Sequence, residues 1–433
     1  MRKAFLGVFI LIILATCSIW MFRNNGSSDI NKAETEDSTK YDDSIIDDTH
    51  YLTSMNGDNK LGIVRHPKVN VASYANKIMD KISFLPKYKV GNEWDLMMPS
   101  CDLSSFDLKN RLSDLMHVSF DTKTKWPKHL PVGFDTNKLM NLGKNPGLGI
   151  RELHKEGITG KGIGIAIFDG AILIDHNEFK DQIKTYEENH LDPNFNIFHG
   201  TPIASIAVGK NIGVASGANL YYIADTHDGP KGCDLSIVAK SINRVLEINK
   251  GLPKKNKIRV ISMSWGLNKS YKGYKEAIGA VNKAKKDGIF FVSASLNETY
   301  NFNFNGLGRK PLSNPEEFSS YEPAPWWEDD FYAEQVNIKD EKLLIPMDSR
   351  CVASPAGDKE YMYFAHAGWS WSIPYIAGLY ALACQVKPDI TPQYFWSIAL
   401  NTGETIDIKK EGKHYKLGKI VNPQKLIDML AKQ

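Results

Sequence analysis

Cysteine is scarce in this chain: five among 433 residues, at Cys17, Cys101, Cys233, Cys351 and Cys384. No two of them stand in a CxxC spacing, which excludes zinc-ribbon and thioredoxin-like chemistry. No HExxH or comparable ligand run occurs, so metal-assisted hydrolysis has no donor set to start from. Blocks of lysine or arginine are also missing. With 53 basic and 50 acidic residues the formal net charge is only +3, and no nucleic-acid partner is expected. There is no internal repeat. The four cysteines beyond Cys17 could form two disulfides in an oxidising compartment. Isolated cysteines in so long a chain read more simply as small buried hydrophobes; Cys384, in the apolar run Ala381-Leu382-Ala383-Cys384, is expected to be buried and inert.

What remains is an ordinary globular balance, 42% apolar and 24% charged, with a distinctive beginning. Arg2 and Lys3 precede an uncharged stretch from Ala4 to Phe22, close to the roughly 20 residues that span a bilayer. The apolar core of a cleaved signal is usually shorter, about 7–15 residues. Residues 1–23 therefore read as an uncleaved signal anchor. The alternatives are a cleaved signal or, from Leu14-Ala15-Thr16-Cys17, a lipoprotein. Positive charge before the helix places the bulk of the chain outside the cytoplasm: membrane-anchored and extracytoplasmic, or secreted if the segment is removed. Residues 24–60, rich in Asp, Glu, Ser and Thr, read as a solvated linker. Residues 61–145 form a prosegment or an accessory region, with amphipathic spacing at Lys77–Phe84 and Leu108–Leu115.

From 146 to 433 the pattern is regular. Continuous apolar runs at Ile163–Phe168, Leu220–Ala224, Arg259–Trp265 and Ile289–Ala294 alternate with helical patterns at Leu235–Lys250 and Tyr274–Lys286. Strands of this kind separated by helices predict an α/β fold: a doubly wound, mostly parallel sheet with helices on both faces. Functional residues in such a sheet gather beyond the carboxyl ends of its strands. Thr299–Asp340 breaks the pattern with aromatics, prolines and acidic residues, and reads as a surface insertion that covers a cleft or packs as a flap.

Three segments then carry chemistry. Asp169 ends the first apolar run and is followed by Gly170. His199 opens the helical sequence Gly200-Thr201-Pro202-Ile203-Ala204. Ser370 precedes Ile373, Pro374, Ile376, Ala377 and Leu379, a buried-helix pattern in which Pro374 is expected in the first turn. Each alone has a structural explanation: a turn aspartate, a helix-start histidine, an N-cap serine. As a set they can activate a hydroxyl, because a histidine takes its proton and a carboxylate orients and stabilises the imidazole. Asn297, closely following the fourth run, offers an amide to a developing oxyanion.

Together these segments resemble the subtilisin-like serine proteases, the subtilases. Gly162–Gly170 resembles the family's aspartate motif and His199-Gly200-Thr201 its histidine motif. Gly368, Ser370, Pro374, Ala377 and Gly378 fall on the fixed points of the serine motif. Ile261–Gly266 resembles the strand lining the substrate cleft, and Ala294–Glu298 the oxyanion-asparagine segment. The Asp…His…Ser order differs from that of chymotrypsin-like chains and α/β-hydrolases. The resemblance implies a serine endopeptidase acting on polypeptides, with Ser370 as nucleophile, His199 as general base and then acid, and Asp169 as its partner. Asn297 with the Ser370 N–H would form the oxyanion hole, and Ser264, Trp265, Gly266 and Leu296 would bind substrate. No cofactor is needed for the chemistry. The family commonly carries structural calcium, for which Asp225, Asp228 and the acidic insertion offer oxygen ligands. Many members also remove an N-terminal propeptide autocatalytically, and residues 61–145 occupy that place. His176 and His366 match no catalytic position and read as structural. The chain departs from the family at Pro202, Trp369, Trp371 and Leu296, which bears on cleft access. The competing reading is a subtilase-fold binding or regulatory protein that cleaves little.

Overall fold

The computed structural model describes residues 51–54, 68, 84–190, 198–226, 228–229, 232–333 and 341–432. The expected anchor at 1–23 and most of the linker at 24–60 lie outside them. Among the described residues no helix is long and apolar enough to cross a membrane. His50–Gln433 cluster into one compact unit.

A six-stranded sheet organises that unit. Its order is Tyr51–Ser54, Ile183–His190, Asn219–Asp225, Gly164–Asp169, Ile258–Met263, Phe290–Ser293. The last five run parallel, and Tyr51–Ser54, at the end of the expected linker, adds an antiparallel edge. The four apolar runs of the sequence are thus strands, each within about two residues of its expected bounds. Side chains alternate across a strand, and here the alternation feeds two separate cores. Ile165, Ile167, Leu220, Tyr222, Val260, Phe290 and Val292 pack on one face with the helices Gly200–Val208 and Trp369–Val386. Ala166, Phe168, Tyr221, Ile223, Ile261 and Phe291 pack on the other with Leu235–Gly251 and Tyr274–Lys286. Apolar residues at every position therefore follow from burial on both faces.

Two regions differ from expectation. The Thr299–Asp340 segment is not a self-contained flap among its described residues. Phe304–Arg309 and Tyr321–Pro323 enter a second, five-stranded sheet with Leu343–Pro346, Lys413–Ile420 and Glu404–Lys410. The helix Pro325–Tyr332 docks on this sheet, with Trp327 Nε1 donating to the Gly306 carbonyl at 2.8 Å. In the 61–145 region, the helix expected at Leu108–Leu115 is confined to Leu112–Leu115, because residues 108–111 close a turn instead, Arg111 N–H donating to the Leu108 carbonyl. A helix at Thr136–Gly143 was not expected, and the spacing at Lys77–Phe84 lies outside the described residues but for Phe84.

The described part of that region, 84–145, is built into the protein. Its strand Phe120–Asp121 pairs with Tyr361–Phe364, which pairs with Arg350–Ala353. Leu96, Met98, Leu103, Leu115, Val118 and Phe120 share a third core with Cys351, Tyr363 and Ala365. Phe120 lies edge-on to Trp126 and 5.2 Å from the Tyr363 ring. Among the described residues no disulfide joins two cysteines; Cys101, Cys351 and Cys384 are buried, and burial pushes the Cys101 and Cys384 thiols up to about 12.

Two predictions follow from this arm. Phe120→Ala should lower unfolding free energy by about 3–5 kcal/mol, in one transition seen by both near- and far-UV circular dichroism, because its core is shared. His117, stacked on Tyr88, is held neutral down to about pH 4 by burial and by the nearby His366, against the opposing pull of Asp114. In the unfolded chain it takes up a proton below about 6.5. Stability should therefore fall as pH drops from about 6.5 to about 4. His117→Asn should make that fall in the urea midpoint shallower.

Candidate active site

Asp169 is fully buried at the carboxyl end of the central strand Gly164–Asp169. One oxygen accepts from Gly170 N–H at 2.8 Å, and both lie 2.9 Å from His199 Nδ1. The histidine immediately precedes the helix Gly200–Val208, and its side chain is 26% exposed. A close backbone approach makes this pairing fit. A Cβ on Gly200 would collide with the Tyr222 hydroxyl and the Gly170 carbonyl, between which Tyr222 already donates a 2.6 Å hydrogen bond. Thr201 Oγ1 accepts from Leu173 N–H at 2.9 Å. Pro202 sits buried in the first helical turn, where it displaces no hydrogen bond.

Ser370 is the second residue of the helix Trp369–Val386. Pro374 consequently lies in the second turn, not the first as expected. There it has no N–H for the carbonyl four residues back, which is that of Ser370. The Ser264 hydroxyl supplies the missing donor at 3.0 Å, and the Ser370 hydroxyl in turn reaches the Ser264 carbonyl at 3.4 Å. Farther along the helix, a Cβ on Gly378 would press into Val214, so that glycine lets the helix lie close to the chain after the His199 helix. The His199 ring rests edge-on to Trp371 at 5.7 Å and tilted against Trp265 at 6.2 Å. Asp169, His199 and the start of the Ser370 helix thus meet at one edge of the sheet.

Asn297 lies exposed in the short helix Leu296–Tyr300, and its Nδ2 donates to Asn303 Oδ1 at 2.6 Å. Ser264 is buried, and Trp265 and Gly266 are half-buried just beyond the strand Ile258–Met263. Ala294 N–H donates to the Trp265 carbonyl, and Leu267 N–H to Ser295 Oγ at 2.8 Å. Leu296 has no exposed surface and belongs to the core. Trp369 is directed into the insertion: Nε1 donates to Asn305 Oδ1 at 3.0 Å, and the ring contacts Phe304 and Trp326 at 5.0 and 5.7 Å. Asn303 and Asn305, which hold these two side chains, carried no signal in the sequence, since a single amide contact leaves no periodic pattern.

The subtilase family profile matches residues 160–418, more than half of the chain. The chain belongs to the subtilase family. That places it among the serine peptidases in general. Subtilisin-like protease 3 of Pseudogymnoascus destructans is 30% identical over 212 residues, 46% of this chain and 49% of that protein. Minor extracellular protease Epr of Bacillus subtilis is 27% identical over 202 residues, 45% of this chain and 28% of that one. The matched part thus spans about half or less of these relatives. Among solved structures, the PatG macrocyclase in complex with peptide covers 66% of this chain and 96% of its own, at 15% identity and a TM-score of 0.45. The prenylagaramide maturation protease PagA has the same TM-score, at 17% identity over 66% of this chain and 99% of its own.

The oxygen ligands offered for structural calcium include Asp225 and Asp228 of this subtilase. Asp225 is buried and accepts from the Ser241 hydroxyl at 2.9 Å, and the Asp228 side chain lies outside the description. Among the described residues no three His, Cys, Asp or Glu side chains converge as a metal site.

Gly200→Ala tests the packing beneath His199. The added methyl should destabilise the fold by about 1–3 kcal/mol, read from denaturant melts, because the His199 turn must shift.

Proposed function

We propose that this subtilase is a serine endopeptidase that hydrolyses polypeptides through an acyl-enzyme on Ser370. The observation that carries the reading is the buried Asp169 carboxylate with both oxygens 2.9 Å from His199 Nδ1. With Nδ1 fixed as the donor to Asp169, Nε2 is the ring nitrogen left to take a proton. The Ser370 hydroxyl turns from the Ser264 carbonyl to Nε2, loses its proton to His199 and attacks the scissile carbonyl. The new imidazolium is stabilised by Asp169 and delivers that proton to the departing amine. Water then enters, and the same two steps release the acid.

The oxyanion falls to two donors. As a first-turn residue Ser370 has a backbone N–H with no helical acceptor. Asn297 Nδ2 carries two hydrogens, one engaged by Asn303, leaving the other for the oxyanion. The substrate backbone lies along Ser264, Trp265 and Gly266 as an added strand. Leu296, being buried, shapes the pocket only by filling space behind Asn297. Attachment to a membrane and an extracytoplasmic location rest on residues 1–23 alone.

A fluorophosphonate probe should label the wild type and fail to label Ser370→Ala. Asn297→Ala should keep KM while kcat falls about 10²–10³-fold, measured on a peptide substrate. Absence of labelling in folded wild-type protein would overturn the proposal in favour of a binding or regulatory role.

A further inference from the structure

The segment Ala365-His366-Ala367-Gly368 joins the strand Tyr361–Phe364 to the helix that bears Ser370. Its grip comes from outside the catalytic set. Ala365 N–H donates to the Ser119 hydroxyl at 3.1 Å. His366 Nε2 is hydrogen-bonded to His117 Nδ1 at 2.8 Å, one ring donating and the other accepting. Ala367 N–H donates to Asp348 Oδ1 at 2.8 Å, and the other Asp348 oxygen faces His366 Nδ1 at 3.6 Å. The two imidazoles lie in a stack with Tyr88, at 3.5 Å between the Tyr88 and His117 rings and 5.0 Å between the histidines.

Two of these three holds, His117 and Ser119, come from the arm at residues 84–145, about 250 positions before the serine. The amides of Ala365 and Ala367 and the ring of His366 are thus each held or flanked by a side chain outside the Asp169–His199 pair. Gly368, which caps the helix, has no neighbour within 4 Å of where a Cβ would sit, so the turn is not wedged in place at that end. Its direction depends on the polar contacts on its other side.

We propose that His117 of the arm is a positioning residue for the nucleophile: through His366, and alongside Ser119 and Asp348, it sets the turn from which the Ser370 helix starts. The role rests on the reading of Ser370 as nucleophile. Displacing a nucleophile by about 1 Å can reduce rate about 10²-fold even when the changed residue is remote from the chemistry. The arm is then a working part of the enzyme, and a cut that released it would release this hold.

The test compares three variants of the full chain in fluorophosphonate labelling, peptide turnover and thermal melting. His117→Phe keeps the flat ring against Tyr88 but offers no hydrogen bond to His366. His117→Asn restores a polar group near the Nδ1 position. Ser119→Ala removes the hold on Ala365 at the loss of one oxygen. The expected result is labelling slowed roughly 10- to 100-fold in His117→Phe, with kcat reduced more than KM is raised, and recovery toward wild type in His117→Asn. Labelling and kcat at wild-type level in folded His117→Phe would overturn the role. If His117→Phe does not fold, Ser119→Ala decides: slowed labelling supports the hold, and unchanged labelling overturns it. Wild-type protein that labels normally beside unaffected variants removes only the positioning role. Folded wild-type protein that does not label removes the reading of Ser370 as well.

Discussion

A carboxylate with no exposed surface has to be paired where it stands, because a buried charge left alone costs several kcal/mol. Asp169 imposes that condition at the end of the central strand. The condition fixes much around it. The His199 imidazole must present Nδ1 to it, the helix after His199 must begin within touching distance of Gly170, and only a glycine fits at position 200. The Tyr222 hydroxyl then closes the gap by donating to the Gly170 carbonyl. The histidine's orientation is therefore a property of the sheet rather than of a loop.

The serine is held by a different device. Pro374 withdraws the one amide that would have satisfied the Ser370 carbonyl inside the helix, and Ser264 answers it from the end of the strand Ile258–Met263. A local defect in one helix becomes a cross-link between two elements. It also fixes Ser264 against Ser370, so a change at Ser264 disturbs the start of that helix.

Much of this was legible in the sequence. The central strands announced themselves because burial on both faces makes them continuously apolar, and Asp169, His199 and Ser370 stood at the breaks in that pattern. The strand Ile183–His190 escaped because it is mixed: Tyr186 is buried beside Glu187, whose charge is met by Arg244 at 2.9 Å. No periodicity survives when an ion pair does the work of an apolar side chain. The insertion was visible as a break but not as part of a sheet, since Phe304–Arg309 carries two glycines along with the buried Asn305 and Arg309. The arm was hardest to read. Outside its short helices its apolar residues, such as Met98, Leu103, Val118 and Phe120, follow no regular period, because they serve a core completed by residues more than 200 positions away.

That distance has a consequence for how the chain acquires its structure. The strand Phe120–Asp121 is made early in synthesis, yet its partner Tyr361–Phe364 and the covering residues Cys351 and Tyr363 emerge only near the end. Until then Leu96, Met98, Val118 and Phe120 have incomplete cover. Closing a loop of such length precedes any reward from the contacts it allows, which slows folding when contacts are this non-local. Assembly of the surroundings of Ser370 is thus a late event, and the arm's apolar residues are exposed to wrong partners until its partner strand has been made.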